Sequence, residues 1–515
     1  MTDQRDPRIR ALIVELAQSS AEAPTFAELE DLAAEPMGEG PVRPMGRQPS
    51  SNHGRGWLVA AAAAVAVLVL VGGVALLLQV TGPDAPVADT VVPTTLTESA
   101  PTTLAESVPT TLPDPPSSFT WSRVPHDEAV FGGARGQWMR SVTVGGPGLV
   151  AVGSVGNDGD DGDANAAVWA SVDGLTWSRV PLDEAALGGA RGQWMNSVTV
   201  GGPGLVAVGS DGRFAAVWTS VDGVTWSRVP HDEAVFGGAD NQGMNSVTVG
   251  GPGLVAVGWV ENDGEINGDG AAAVWTSVDG VTWLRVPHDE AALGGAGFQG
   301  MSSVTVGGPG LVAVGVGAGR MTVDEGHVDW EVKAAVWTSV DGVTWSRVPH
   351  DEAVFGGVGG QGMRSVTVGG PGLVAVGFDQ PGDDVPSGRA RDAAVWTSVD
   401  GATWSRVPHD VTLFGGTGNQ RMYEVTAAGA GLVAVGADGG FYANRPDAVV
   451  WTSVDGITWS RVAHDEAVFG GTEMRSVTVA GAGLVAVGDT SSGGGPNRPI
   501  ESGASVFVWV AEPDD

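Results

Sequence analysis

Short segments of strand-like character follow one another through most of this chain, separated by glycine-rich turns. In Ser141-Val-Thr-Val144, polar and apolar residues alternate, as a strand with two different faces requires. The same run returns in a longer unit whose fullest form reads TWSRVPHDEAVFGG…MRSVTVGGPGLVAVG…AAVWTSVDG. Seven copies are anchored by Trp121, Trp177, Trp226, Trp283, Trp345, Trp404 and Trp459, at intervals of 56, 49, 57, 62, 59 and 55 residues. A period of that size, with several short strands per unit, is the signature of a β-propeller.

Each unit supplies four strand-like runs, here lettered A (SVTV), B (LVAVG), C (AAVWTS) and D (TWSRV). A two-residue Asp-Gly turn joins C to D, a strong hairpin signal. The repeat region begins with a lone D run at 120–124 and ends with A, B and C but no D, at 506–511. Pairing the first D with the last three strands closes the ring and removes exposed edges. The expected fold is therefore all-β, a seven-bladed β-propeller with a 3+1 closing blade, over residues 120–515.

The link Ser-Val-Asp-Gly-x-Thr-Trp occurs six times, with aspartates Asp173, Asp222, Asp279, Asp341, Asp400 and Asp455. It resembles the Asp-box of BNR repeats, found in sialidase-like propellers, shortened here by one residue between Asp and Gly. The resemblance covers Thr120 to Ala511 and implies a propeller in which these aspartates are structural. Physical reasoning agrees, because a turn aspartate accepts backbone N–H bonds within its own turn.

Three further regions precede the repeats. Residues 57–80 form 24 residues without a charge, which span roughly 36 Å as a helix, enough to cross a bilayer. Arg43, Arg47 and Arg55 lie just before this run, and no Lys or Arg follows it until Arg123, which predicts a cytoplasmic N-terminus and an extracellular repeat region. Residues 1–56 form a cytoplasmic tail that is mostly disordered, with one amphipathic helix around 7–17. Residues 81–119 form a Pro/Thr-rich stalk, with PTTL starting at Pro93, Pro101 and Pro109.

Composition narrows the function. Acids outnumber bases 60 to 26, and the net charge of −34 argues against phosphate-mediated nucleic-acid binding. The absence of cysteine removes disulfides, thiolate chemistry and Cys-ligated zinc.

Strands A and C run one way and B and D the other, so the D–A and B–C loops share one face. The B–C loops vary from 5 to 18 residues, and repeat proteins place variable insertions on the binding face. On that face the candidate ligand-binding residues are Arg140, Arg364 and Arg475, directly before strand A, with Gln137, Gln193, Trp138 and Trp194. Arginines near the axis would clamp a carboxylate or sulfate, and the tryptophans would stack on a sugar ring. Asp263, Glu265 and Asn267 partly match a calcium loop that lacks its later bidentate glutamate, so calcium is the one cofactor the sequence suggests. His-Asp-Glu, present in five D–A loops, reads as an aspartate capping a short turn rather than as a metal motif.

The sialidase-like resemblance would imply an arginine triad, a tyrosine nucleophile paired with a glutamate, and an acid aspartate. Tyr423 and Glu424 are adjacent on one strand and point to opposite faces, so sequence supplies no converging pair. No catalytic residue is assigned. The expectation is a single-pass membrane protein whose extracellular propeller binds or adheres to a cell-surface glycan or protein. The alternatives are a sialidase-like or other glycoside hydrolase, and a transmembrane sensor.

Overall fold

The computed structural model describes residues 119–513, apart from breaks at 134–135, 157–163, 190, 239, 262–269, 325–326, 358, 381–390, 417, 440–445, 482 and 491–504. All of these residues belong to the unit Val108–Asp515. The apolar run 57–80, the tail, nearly all of the stalk, and Asp263, Glu265 and Asn267 lie outside the described residues. Among the described residues no helix is long and apolar enough to cross a membrane.

The described chain is all-β, built from repeated four-stranded antiparallel sheets in the arrangement of a β-propeller. In the first sheet the strands are A (Gln137–Gly145), B (Gly148–Gly156), C (Ala164–Ser171) and D (Trp177–Arg179). Five further units repeat this order, with A strands beginning at Gln193, Gln242, Phe298, Gln361 and Arg421. The third and fourth are joined by a single parallel pair between Gly270 and Phe298. The last sheet combines both ends of the domain: Phe119–Arg123 pairs with Val506–Pro513, which pairs with Gly483–Asp489 and then Glu473–Ala480. The sheets are called blades 1 to 7 in the order of their A strands.

The cores lie between blades, one at each of the seven interfaces. At the centre of each sits the tryptophan of strand C, from Trp169 to Trp509, fully buried. Its indole N–H must find an acceptor when buried. It does so at a carbonyl of the preceding loop, at Val130, Ala186, Val235, Ala292, Val354, Leu413 or Val468. That loop is held in shape by the His-Asp-Glu segment. Asp127 caps the turn Glu128–Phe131 by accepting from Ala129 N at 2.9 Å, and Asp351 and Asp465 do the same in their copies. The histidine is taken up by its own glutamate, as in His350 Nε2 to Glu352 Oε2 at 2.9 Å.

The turn between C and D behaves as a turn aspartate requires. Asp341 Oδ1 accepts from Val343 N at 2.8 Å and Thr344 N at 2.6 Å, while Ser339 Oγ accepts from Gly342 N at 2.8 Å. These bonds favour the ionised carboxylate and bring Asp341 down to about 2. The six aspartates are thus occupied in their own turns.

Two features of strand A position the central site. First, each A strand carries a bulge between its methionine and the following Ser or Glu, so one extra residue is left unpaired. Strand B accommodates it with a glycine: a Cβ at Gly153 would lie 1.8 Å from the Trp138 carbonyl oxygen. Second, the residue after the bulge bonds to the next blade. Ser141 Oγ accepts from Val198 N at 3.3 Å, and the series continues through Ser197, Ser246, Ser303 and Ser365. Glu424 then accepts from Val477 N at 2.7 Å, and Ser476 from Val142 N at 3.0 Å, which closes the cycle.

Candidate functional site at the centre of the ring

The bulged residues are Arg140, Asn196, Asn245, Ser302, Arg364, Tyr423 and Arg475, one per blade. Two positions earlier stand Trp138, Trp194, Gly243, Gly300, Gly362, Arg421 and Glu473. A bulge re-aims a side chain, and both series line the inner wall. Arg140 of blade 1 and Arg364 of blade 5 are separated by two blades around the short side of the ring, yet Arg364 feels the charge of Arg140. Only a location near the axis allows this.

Blades 5, 6, 7 and 1 make a charged half. Tyr423 Oη donates to Glu473 Oε2 at 2.9 Å, Arg475 Nη2 pairs with the same oxygen at 2.6 Å, and Arg475 Nε lies 3.4 Å from Asp489 Oδ2. That last distance is long for a hydrogen bond, and both Asp489 carboxylate oxygens are buried without one. Arg475 stacks 4.4 Å and Arg421 5.7 Å from the Tyr423 ring centroid. Among the described residues, Arg140, Arg364 and Arg475 therefore gather beside two carboxylates, an excess of one positive charge in a chain of net charge −34.

Electrostatics reflect that crowding. Burial first, and then the neighbouring guanidinium Arg475, lower the pKa of Arg140. Burial also lowers Arg364, with Arg421, Arg475 and Arg140 adding to the effect. An arginine remains cationic under such pressure. Burial raises Asp489 against the pull of Arg475 and Arg140, and raises Tyr423. Burial works to lower Arg475, but its neighbours Tyr423, Asp489 and Glu473 outweigh it and hold Arg475 firmly cationic.

Blades 3, 4 and 5 make an aromatic half. Here the inner position of strand A is glycine, covered by the rings of Trp259, Phe298 and Phe378. Among these rings lies a cavity of about 410 Å³, lined also by Asn245, Ser302 and Arg364, among others. Phe378 is buried beneath two guanidinium groups, with Arg391 at 4.3 Å and Arg364 at 5.4 Å from its ring centroid.

The seven residues proposed from sequence separate here. Arg140, Arg364 and Arg475 come together around Tyr423. Trp138 is only 5% exposed and packs on Trp194 with centroids 5.6 Å apart, so this pair closes the wall of blades 1 and 2 instead of offering an open stacking surface. Gln137 and Gln193 are buried inside their blades, against the expectation that they face a ligand. Gln137 donates to the Gly132 carbonyl, and Gln193 donates to Asp211 Oδ1 at 3.0 Å. The tyrosine sought beside Glu424 finds its carboxylate on the next blade, at Glu473. A separate trio, Asp447, His464 and Glu466, has ligand atoms within 4.8 Å of one another on the exposed loop face and could hold a cation. Asp447 already accepts from Gly471 N at 2.9 Å, and His464 lies 3.2 Å from Glu466 Oε2.

No protein-family profile matches the chain, and no curated protein matches it. Among solved structures it is similar to Sqt1 of Chaetomium thermophilum, at 12% identity over 75% of this chain and 97% of that one, with a TM-score of 0.39. It is also similar to a glycoside hydrolase at 13% identity, over 54% and 89% of the two chains, TM-score 0.30. A third is the exo-β-1,3-galactanase of Clostridium thermocellum, at 14% identity over 51% and 57%, TM-score 0.29. None of these similarities transfers an activity to this chain.

Proposed function

We propose that this chain is a membrane-anchored extracellular binding protein. In this reading a seven-bladed propeller takes a carboxylate-bearing cell-surface glycan at the centre of its loop face. The carrying observation is the convergence of Arg140, Arg364 and Arg475 around Tyr423, beside the carboxylates of Glu473 and Asp489. A carboxylate would neutralise the excess charge through charge-assisted bonds, which are the strong ones. The anchor at 57–80 and the outward orientation rest on the arginines before the apolar run.

The test is calorimetric titration of the full chain in detergent with uronic-acid sugars and their neutral counterparts. A hydrogen bond to a charged group contributes about 1.5–3 kcal/mol, so Arg364→Ala should weaken the acidic sugar roughly 10- to 100-fold. Equal affinity for acidic and neutral sugars would overturn the reading.

A second reading is supported by one contact. Sialidase-like hydrolases, which the repeats resemble, use a tyrosine–glutamate pair, three arginines and an acid aspartate. Tyr423–Glu473, Arg140, Arg364, Arg475 and the buried Asp489 would fill those roles. Two observations favour binding instead. A nucleophile is activated by a lowered pKa or a free base, whereas burial raises Tyr423 and Arg475 already occupies Glu473. Turnover of a fluorogenic acidic aryl glycoside, lost in Tyr423→Phe, would establish hydrolysis; no turnover by the native chain would refute it.

A further inference from the structure

The repeats are near-copies, so a position that departs from its six equivalents stands out against an internal control. The inner position of strand A is Trp in blades 1 and 2, Gly in blades 3, 4 and 5, and charged in blades 6 and 7. The facing residue of strand B varies in the opposite sense. Trp138 faces Ser154 and Trp194 faces Ser210, whereas Gly243 faces Trp259 and Gly362 faces Phe378. In blades 1 and 2 the bulky ring stands on strand A and closes the wall. In blades 3 and 5 it stands on strand B over the glycine, in blade 4 Phe298 lies over Gly300, and the cavity of about 410 Å³ lies among these rings.

The surfaces of that cavity are specific. Trp259 and Phe298 are half-exposed, with ring centroids 6.1 Å apart and planes inclined at 54°. Together they offer two apolar facets meeting at an angle. At the rim, Asn245 gives its Nδ2 to the Met301 carbonyl at 2.8 Å, which leaves its amide oxygen to accept a hydroxyl. Ser302 adds a second hydroxyl partner, and Arg364 belongs both to this cavity and to the charged half. A pocket with apolar walls, a few polar groups at its edge and a volume within about 300–1,000 Å³ is the usual form of a small-ligand site. The chemistry that matches an aromatic wall with hydroxyl partners at its rim is a pyranose. Its axial C–H bonds present an apolar face, and its hydroxyls project at the edge.

We propose that this cavity is a subsite for a neutral hexopyranose joined to the acidic sugar held by the arginines, so that the natural ligand is at least an acidic disaccharide. The inference rests on the reading of the charged half given above. Arg364 marks the boundary between the two sugars.

The experiment compares three probes on the full chain in detergent: glucuronic acid, a glucuronic acid–hexose disaccharide, and a neutral hexose disaccharide. The acidic disaccharide should bind about tenfold tighter than glucuronic acid, the gain expected from stacking on one aromatic facet. The decisive variant exchanges the blade 3 pair for the arrangement native to blades 1 and 2, Gly243→Trp with Trp259→Ser. An added Cβ at Gly243 comes no nearer than 3.4 Å to the Trp259 ring, so strand A accepts it. The exchange should abolish the tenfold gain. Phe298→Ala, which only removes bulk, is the second variant and should reduce it. If glucuronic acid binds but the disaccharide gains nothing, or keeps its gain in both folded variants, the subsite is overturned while the charged half stands. If neither acidic probe binds, both readings fail together.

Discussion

The ring contains one carboxylate where six blades have a serine, and that exchange makes its stability depend on pH. Glu424 replaces the serine that accepts the backbone N–H of the next blade, here Val477 N at 2.7 Å. Burial raises its pKa from 4.5 to about 7, against the opposing bonds from Ser476 and Val477. The folded state therefore keeps a proton that the unfolded chain has already lost. Stability is unaffected below about pH 4.5, falls as the pH rises towards about 7, and stays lowered above that. A difference of about 2.5 units corresponds to roughly 3 kcal/mol as an upper bound. With about 2.1 cal/mol/K of unfolding entropy per residue over roughly 400 residues, this moves Tm by about 4 °C. Glu424→Gln keeps an acceptor for Val477 and cannot ionise. Calorimetry at about pH 5 and about pH 8 should show the native chain losing stability across the interval relative to the variant. A native loss that Glu424→Gln reproduces in full would show that other groups carry it, and would refute the assignment.

Three further outcomes follow from the same contacts. Trp451→Phe leaves the half-buried Leu413 carbonyl without its 2.9 Å donor and should cost about 1 kcal/mol in chemical denaturation, apart from any loss of packing. Ser339→Ala removes the acceptor of Gly342 N in one turn and should lower stability by about 1–3 kcal/mol without altering sugar binding at the opposite loop face. Deleting residues 119–123 exposes the edge of Val506–Pro513. It should produce concentration-dependent aggregates on size-exclusion chromatography that the native chain does not form, because an uncovered strand edge templates pairing.

The strand order and the composite closing blade could be read from the chain because every blade repeats the same local signals. The lone D run at the start and the missing D at the end require one another. Arg140, Arg364 and Arg475 were also accessible, since each stands directly before a strand whose face was known. Glu473 was not, because its partnership with Tyr423 crosses between blades. Counting alternation from Tyr423 correctly places Glu424 on the other side and says nothing about the neighbouring sheet. The bulge is a second reason. It turns two positions of strand A to the inner wall, where simple alternation gives only one. Trp259 and Phe378 were missed because they sit on strand B, away from the loops where variation was sought. The exchange of Trp138/Ser154 for Gly243/Trp259 is the signal that would have found them.

The two ends of the described chain leave from one edge, where Phe119 pairs with Pro513 on the face that carries the C–D turns. A ligand held at the opposite face and a tether drawn from Phe119 would put tension through this single blade. The load would act along the strand Phe119–Arg123, while its hydrogen bonds to Val506–Pro513 run across that direction. All of them are then strained together in shear, instead of being opened in turn as in peeling. Under such a load the seam that closes the ring would double as its mechanical clamp, and rupture of that short strand would set the force the domain can withstand.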